Sequence, residues 1–182
     1  SLRAGVLGGA LGTARVLACD AEQVSLSLAL YRPPPAPLEI SLLLALPRPK
    51  AARRVLQTIA TMGVKRVVLI NSARVEKSYW QSPYLHPEAL REQLLLGLEQ
   101  AGDTILPHVE LRRRLRPFVE DEFDAWAGAA TRWLAHPEAA APCPTASPER
   151  RVLAIGPEGG FIGFEIELFA RAGFQPVSLG PR

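Results

Sequence analysis

The chain has 182 residues, 48% of them apolar, enough to bury a substantial core and to hold one domain with part of another. Its 21 basic and 18 acidic residues leave only +3, which by itself does not make a nucleic-acid binder. Cys19 and Cys143 lie far apart with no CxxC spacing or Cys/His cluster, so neither a disulfide framework nor a zinc site is expected, and a reducing, cytoplasmic compartment fits best.

No membrane segment is expected: the longest apolar run, Ile40 to Leu46, is too short to span a bilayer, and no charged-then-apolar leader opens the chain. Eighteen of the basic residues are Arg, against Lys50, Lys65 and Lys77. That bias suits bidentate phosphate contacts, and it equally suits a genome of biased base composition. His86, His108 and His136 each adjoin a proline and are scattered, so no metal centre is expected.

From residue 2 to 30, short apolar runs broken by Gly8-Gly9 and Gly12 and ending in the alternation Val24, Leu26, Leu28, Leu30 predict antiparallel hairpins. The segment Pro33-Pro34-Pro35-Ala36-Pro37 can form neither helix nor central strand, so 33–37 reads as a stiff linker between domains.

Beyond it the pattern becomes strand-helix alternation, which predicts an α/β domain over 38–182 with a mostly parallel sheet and flanking helices. Glu39 to Leu46 reads as a buried strand. Ala52, Val55, Leu56, Ile59 and Met62 recur at helical spacing up to Gly63. Val67 to Ile70 is the next strand. Pro87 suits a first helical position, Leu90, Leu94, Leu98 and Ala101 make one face, and Gly102 ends the helix. Trp133 to Ala135 reads as a short strand, and Pro142 to Pro148 as a loop. Val152 to Ile155 is a buried strand, Gly156 to Gly160 a tight turn, and Glu165 to Ala172 a helix with Ile166, Phe169 and Ala170 inward. Val177 to Leu179 closes the series.

The turn Gly156-Pro157-Glu158-Gly159-Gly160 is the most informative segment. Three glycines after a parallel strand let the backbone turn sharply and approach a ligand without Cβ hindrance. The loop has no Lys-Ser/Thr pair and does not fit GxGxxG, so it is not a phosphate cradle. A neutral or cationic ligand suits it better; alone, it reads equally well as a simple turn with a solvated Glu.

Its surroundings add specificity. Leu153 to Phe161, then Glu165, Gly173-Phe174 and Leu179-Gly180-Pro181-Arg182 resemble the C-terminal signature of the bacterial 16S rRNA uridine-N3 methyltransferases of the SPOUT superfamily. Ala45-Leu46-Pro47-Arg48-Pro49-Lys50, Met62-Gly63-Val64, Arg74 to Trp80, Gln100-Ala101 and Leu106-Pro107 follow the same family's order.

The resemblance implies a SPOUT-type domain with a C-terminal trefoil knot and S-adenosyl-L-methionine as cofactor, held by three loops at the carboxyl edge of the sheet. By position the cofactor residues would be Leu134, His136, Ile155, Gly156, Pro157, Glu158, Gly159, Gly160, Leu179 and Gly180. It implies methyl transfer to uridine N3 in 16S rRNA of the small ribosomal subunit, and a homodimer. Residues 1–32 would be the last strands of a PUA-like β-barrel. The family continues past Arg182 with a sequence like Ile-Leu-Arg-x-Glu-Thr-Ala and a knotting helix, so the chain is expected to be a piece that cannot close its own cofactor site.

Two candidate catalytic residues follow. Arg182 would steer the phosphate or the uracil oxygens. Glu158 would serve as base or, the favoured role, hold a loop amide. Lys50, Arg74, Lys77, Arg112 and Arg113 are the candidate RNA contacts: Arg74 and Lys77 lie beside Tyr79 and Trp80, and basic residues interleaved with aromatics suit single-stranded RNA, while Arg112 and Arg113 open the densest positive run, Arg112 to Arg116. The plain alternative for these cations is a solvated surface. Rival functions are another SPOUT methyltransferase acting on tRNA or a ribose 2′-hydroxyl, and a non-catalytic RNA-binding assembly factor.

Overall fold

The computed structural model of the chain describes residues 1–144 and 149–180. The expected hairpins form: β1 (Leu2–Gly5), β2 (Leu11–Cys19) and β3 (Val24–Arg32) make a three-stranded antiparallel sheet. Gly8, at φ +73°, turns β1 into β2, and the Asp20 carboxylate accepts the amides of Glu22 and Gln23 at 2.8 and 2.9 Å to turn β2 into β3. Only Leu11 and Ala14 of this sheet are buried apolar residues. The β1–β2 turn meets the rest of the chain through Thr104, whose hydroxyl donates to the Gly9 carbonyl at 2.6 Å and whose carbonyl accepts the Gly8 amide at 2.8 Å. Residues 33–38 are neither helix nor strand, as four prolines dictate.

A six-stranded parallel sheet follows, built from β4 (Ile40–Ala45), β5 (Arg66–Ile70), β6 (His108–Arg112), β7 (Thr131–Ala135), β8 (Arg151–Ile155) and β9 (Gln175–Val177), in the order β6-β5-β4-β8-β7-β9. Strands covered on both faces read as continuous apolar runs, and Leu43, Val68 and Ala154 are fully buried. Two helices pack together on this frame. α1 (Pro49–Thr61) starts on its proline, and α2 (Pro87–Ala101) ends at Gly102 in the left-handed conformation, φ +67°.

The expected inward faces hold at Ala52, Leu56, Ile59, Leu90, Leu94 and Leu98, which are buried, and fail at two end positions. Met62 is 61% exposed because it is the C-cap residue, past the point where the helical face continues. Ala101 is also exposed. The buried residues of α2 also include Gln93 and Gly97, which meet α1, with Gln57 Nε2 donating to Gln93 Oε1 at 2.8 Å and Thr61 Oγ1 to the Gly97 carbonyl at 3.2 Å. α3 (Leu115–Pro117) passes through a π-helical turn at Phe118–Glu122 into α4 (Phe123–Ala127), a helical stretch that apolar spacing does not announce. In α5 (Gly163–Arg171) the buried residues are Glu165, Leu168 and Phe169, while Ala170 faces out and Ile166 is half-buried.

Aromatic rings connect these helices. Phe161, Phe169, Phe174 and Phe123 follow one another at centroid distances of 5.0 Å, and Phe118 lies 6.1 Å from Phe123. Among the described residues no helix is long and apolar enough to cross a membrane, and no group of three or more His, Cys, Asp or Glu side chains could hold a metal ion. Cys19 and Cys143 are free thiols.

Candidate functional site

The strand order decides where a ligand can bind. From β4 the chain moves through β5 to β6 on one side, while β8 pairs with β4 on the other. The loops leaving β4 and β8 therefore diverge, and a crevice opens at the carboxyl ends of the strands between them. A cleft of about 820 Å³ lies there.

Five loops and one helix face make its walls. The β4 loop and the start of α1 contribute Pro47, Ala51 and Val55; the β7 loop contributes His136 and Glu138; the β9 loop contributes Ser178, Leu179 and Gly180; Arg74 projects from the loop after β5. The fifth loop is Gly156 to Gly160 with Ile155 behind it. This loop is tight: the Gly160 amide donates to the Pro157 carbonyl at 2.7 Å, and Gly160 has φ +76°. A Cβ at position 156 would sit 3.2 Å from both the amide nitrogen and the ring of Phe161, so a side chain there would push Phe161 or the loop aside by a few tenths of an ångström. Phe161 then drops into the core against Phe169 and anchors the loop's exit.

Electrostatics inside the cleft are mild. Glu158 and Arg48 face each other at 3.8 Å with both side chains more than half exposed, a contact worth little in water. His136 Nδ1 accepts the Glu138 amide at 3.2 Å, leaving Nε2 to carry the ring proton. The floor is apolar, formed by Leu44, Ala45 and Val55.

Of the expected cofactor residues, His136, Ile155, Gly156, Pro157, Glu158, Gly159, Gly160, Leu179 and Gly180 all line this cleft. Leu134 does not: it is 2% exposed inside β7 and serves the core. Arg182 lies outside the described residues, as do Pro181 and residues 145–148 of the expected loop. One expectation is corrected. Among the described residues Glu158 holds no loop amide; the carboxylate that does so is Glu165, which accepts the Ile162 amide at 3.0 Å and the Ala73 amide at 2.7 Å.

The expected RNA cations separate. Lys50 and Lys77 are exposed. Arg113 lies 5.6 Å from the Trp80 ring centroid and donates to the Trp80 carbonyl at 3.1 Å. Arg112 is committed to Glu110 at 2.8 Å and Glu122 at 2.9 Å, and its guanidinium lies over Phe118. Arg74 belongs to the cleft, where its guanidinium donates to the Gly159 carbonyl. Sequence reasoning missed Ala51 and Val55 as cleft residues, because helical spacing assigned Val55 to the core. The Pro47 to Lys50 element was the signal that could have found them.

A second hollow, about 410 Å³, lies beside Arg132, Asp124 and Arg171. Arg132 there is tied to Asp124 at 2.8 Å, to the Ala172 carbonyl at 2.6 Å and to the Phe123 ring, which is packing chemistry.

Residues 34–182 match the family described as RNA methyltransferase domain. The chain is 29% identical over 185 residues to ribosomal RNA small subunit methyltransferase E of Treponema pallidum, covering 99% of the chain and 70% of that protein. It is 24% identical over 148 residues to ribosomal RNA small subunit methyltransferase E 1 of Borreliella burgdorferi, covering 78% of the chain and 59% of that protein, so it spans well short of either relative's full length. A crystal structure of a ribosomal RNA small subunit methyltransferase E from Neisseria gonorrhoeae bound to S-adenosyl methionine superposes with TM-score 0.71 at 21% identity, over 94% of this chain and 71% of that one. At that identity the likeness shows a shared α/β fold with a parallel sheet flanked by helices.

Proposed function

The chain belongs to the RNA methyltransferase domain family, and from that premise we propose that its parent protein transfers a methyl group from S-adenosyl-L-methionine to N3 of a uridine in 16S rRNA of the small ribosomal subunit. The observation that carries this reading is the Gly156 to Gly160 loop standing as one wall of the cleft at the β4/β8 divergence. Support for the substrate comes from the signature Leu153 to Phe161 and from the names of the Treponema and Borreliella relatives, which concern small-subunit rRNA.

The residues fit the cofactor. A cleft of about 820 Å³ is ample for a nucleoside-sized ligand. Leu44, Ala45 and Val55 offer an apolar bed for a purine ring, and the backbone of Ile155 to Gly160, with Leu179 and Gly180 opposite, offers donors and acceptors that glycine leaves uncovered. Bound there, S-adenosyl-L-methionine would supply an electrophilic methyl on a sulfonium whose positive charge is lost on transfer. Walls of apolar side chains and neutral backbone suit that change, because a strong fixed anion would stabilise the charged ground state.

The chain's own residues have the remaining work. Uracil N3 must lose its proton, and of the two carboxylates lining the cleft, Glu138 and Glu158, we assign its acceptance to Glu158, which stands on the glycine loop and is free of amide partners among the described residues. His136 presents Nε2–H as a donor for a uracil oxygen. Lys50, Lys77 and Arg113 would meet the phosphates of a strand whose base has been drawn out of its stack, and Arg182 would steer the same substrate from the β9 loop. A homodimer, which light scattering on the full-length protein measures, belongs to the same reading.

Mass spectrometry of 16S rRNA digests from a deletion strain tests it. Loss of one methyl from one uridine, restored by the wild-type gene, is the expected result; an unchanged digest overturns the rRNA assignment.

A further inference from the structure

Glu165 is a carboxylate buried to 4% exposure, a rare state for this side chain. Both of its oxygens are used. Oε1 accepts the Ala73 amide at 2.7 Å, from a segment 92 residues away in sequence, and Oε2 accepts the Ile162 amide at 3.0 Å. Both contacts lie within ordinary N–H···O distance, and the side chain sits in the first turn of α5, beside the N-terminal amides of that helix.

The two amides belong to different loops. Ile162 closes the segment that begins at Gly156, and Ala73 lies in the loop after β5, where the next residue, Arg74, donates to the Gly159 carbonyl. That loop is itself held from behind, since Trp80 Nε1 donates to Asn71 Oδ1 at 2.8 Å. β5 and β8 are not neighbours, because β4 runs between them. No backbone ladder can link the two loops, so their relative placement rests on side chains, and the glycine loop is gripped at two points: at its crown by Arg74 and at its exit through Glu165.

We propose that Glu165 is the positioning residue of the glycine loop, coupling it across β4 to the loop after β5, with Arg74 as the second arm of the clamp. Glu165 does not line the cleft and so touches no bound ligand; it acts by fixing which backbone atoms of Gly156 to Gly160 face the cleft. Its effect on cofactor affinity rests on the function proposed above. Glycine makes the loop's shape possible and equally makes it loose, so a glycine-rich wall needs a clamp to present one conformation to a ligand.

The test uses the full-length protein, with hydrogen exchange and calorimetry as separate readouts. In the wild type the Ala73 amide exchanges slowly; rapid exchange there overturns the proposal whatever the variants do. Glu165→Gln keeps one accepting oxygen and places an NH2 against the second amide, so the amides of Ala73, Ile162 and Gly160, the last of which donates to the Pro157 carbonyl, should exchange about tenfold faster or more while amides of β4 and β8 are unchanged. Unchanged exchange at Gly160 in a folded Glu165→Gln protein overturns the idea. Should that variant fail to fold, Arg74→Met decides, since this residue is exposed and its removal should loosen Gly160 selectively.

S-adenosylhomocysteine is the calorimetric probe. Its Kd should rise about tenfold in Glu165→Gln, with affinity for a 16S rRNA fragment unchanged, a split that general destabilisation would not produce. Wild-type protein that fails to bind S-adenosylhomocysteine removes the methyltransferase reading, and the exchange data still decide the clamp.

Discussion

Replacing Gly97 with Ala sets two effects of opposite sign against each other at the crossing of α1 and α2. Ala is the better helix former by about 1 kcal/mol, and on propensity alone the change should stabilise the protein. The packing says otherwise. A Cβ at position 97 would lie 2.4 Å from the Gln57 carbonyl oxygen and 2.7 Å from the Ala60 Cβ, where 3.4 Å is the lower limit of ordinary contact. The obstructing oxygen is backbone and cannot rotate aside, so the helices must part by roughly 1 Å along a close-packed contact. Overpacking of this kind costs about 1–3 kcal/mol, and a backbone obstruction puts the cost at the upper end. The Gln57–Gln93 and Thr61–Gly97 hydrogen bonds lie at the same crossing and lengthen with it. After the propensity gain the expected net loss is about 2 kcal/mol, which lowers Tm by roughly 4–8 °C for a chain of this size. Circular dichroism melts of the full-length protein measure it, with Gly163→Ala as the comparison because nothing lies within 4 Å of a Cβ there. Ala51 and Val55 on α1 line the cleft, so S-adenosylhomocysteine affinity should fall as well. A Gly97→Ala protein as stable as wild type would refute the close-packing argument.

Gly160→Ala separates backbone strain from steric collision, because φ is +76° at this position and the nearest obstacle to a Cβ is Arg74 Nη1 at 4.0 Å. The left-handed conformation costs a residue with a Cβ about 1 kcal/mol or more, so a lower Tm and weaker S-adenosylhomocysteine binding are expected, with Gly160→Asn milder; equal behaviour of the Ala and Asn variants would count against strain as the cause. Asp103 gives a pH dependence. Burial pushes its carboxyl up, but the Ile105 amide, the Lys65 ammonium at 2.5 Å and the Thr104 amide outweigh burial and hold its pKa below the ordinary 3.8. A pKa lower in the folded than in the unfolded chain means that the group's stabilisation is complete above the unfolded value and is lost as pH falls through the folded one. Urea unfolding should therefore weaken more steeply below about pH 4 in wild type than in Asp103→Asn; parallel curves in that range would show that the carboxylate adds nothing.

What the sequence determined was local. The proline segment at 33–37, the helix starts at Pro49 and Pro87, the stop at Gly102 and the turn at Gly156 to Gly160 are all fixed by residues whose allowed backbone angles or missing N–H leave few alternatives, and these features stand where the sequence puts them. Apolar runs of the right length then named β4, β5 and β8 as buried strands. Which strand neighbours which depends on pairing between distant segments, and only the tertiary structure supplied the β4–β8 adjacency that opens the cleft. The same holds for side-chain direction. Helical spacing could not say that Met62 and Ala101 lie past the packed faces, that Glu165 would be buried to hold Ala73, or that Arg74 would turn to Gly159 while Arg112 is spent on Glu110 and Glu122. Backbone preference is set within a few residues, whereas burial and side-chain pairing are set by whatever the fold brings alongside, for Glu165 and Arg74 from segments more than eighty residues away.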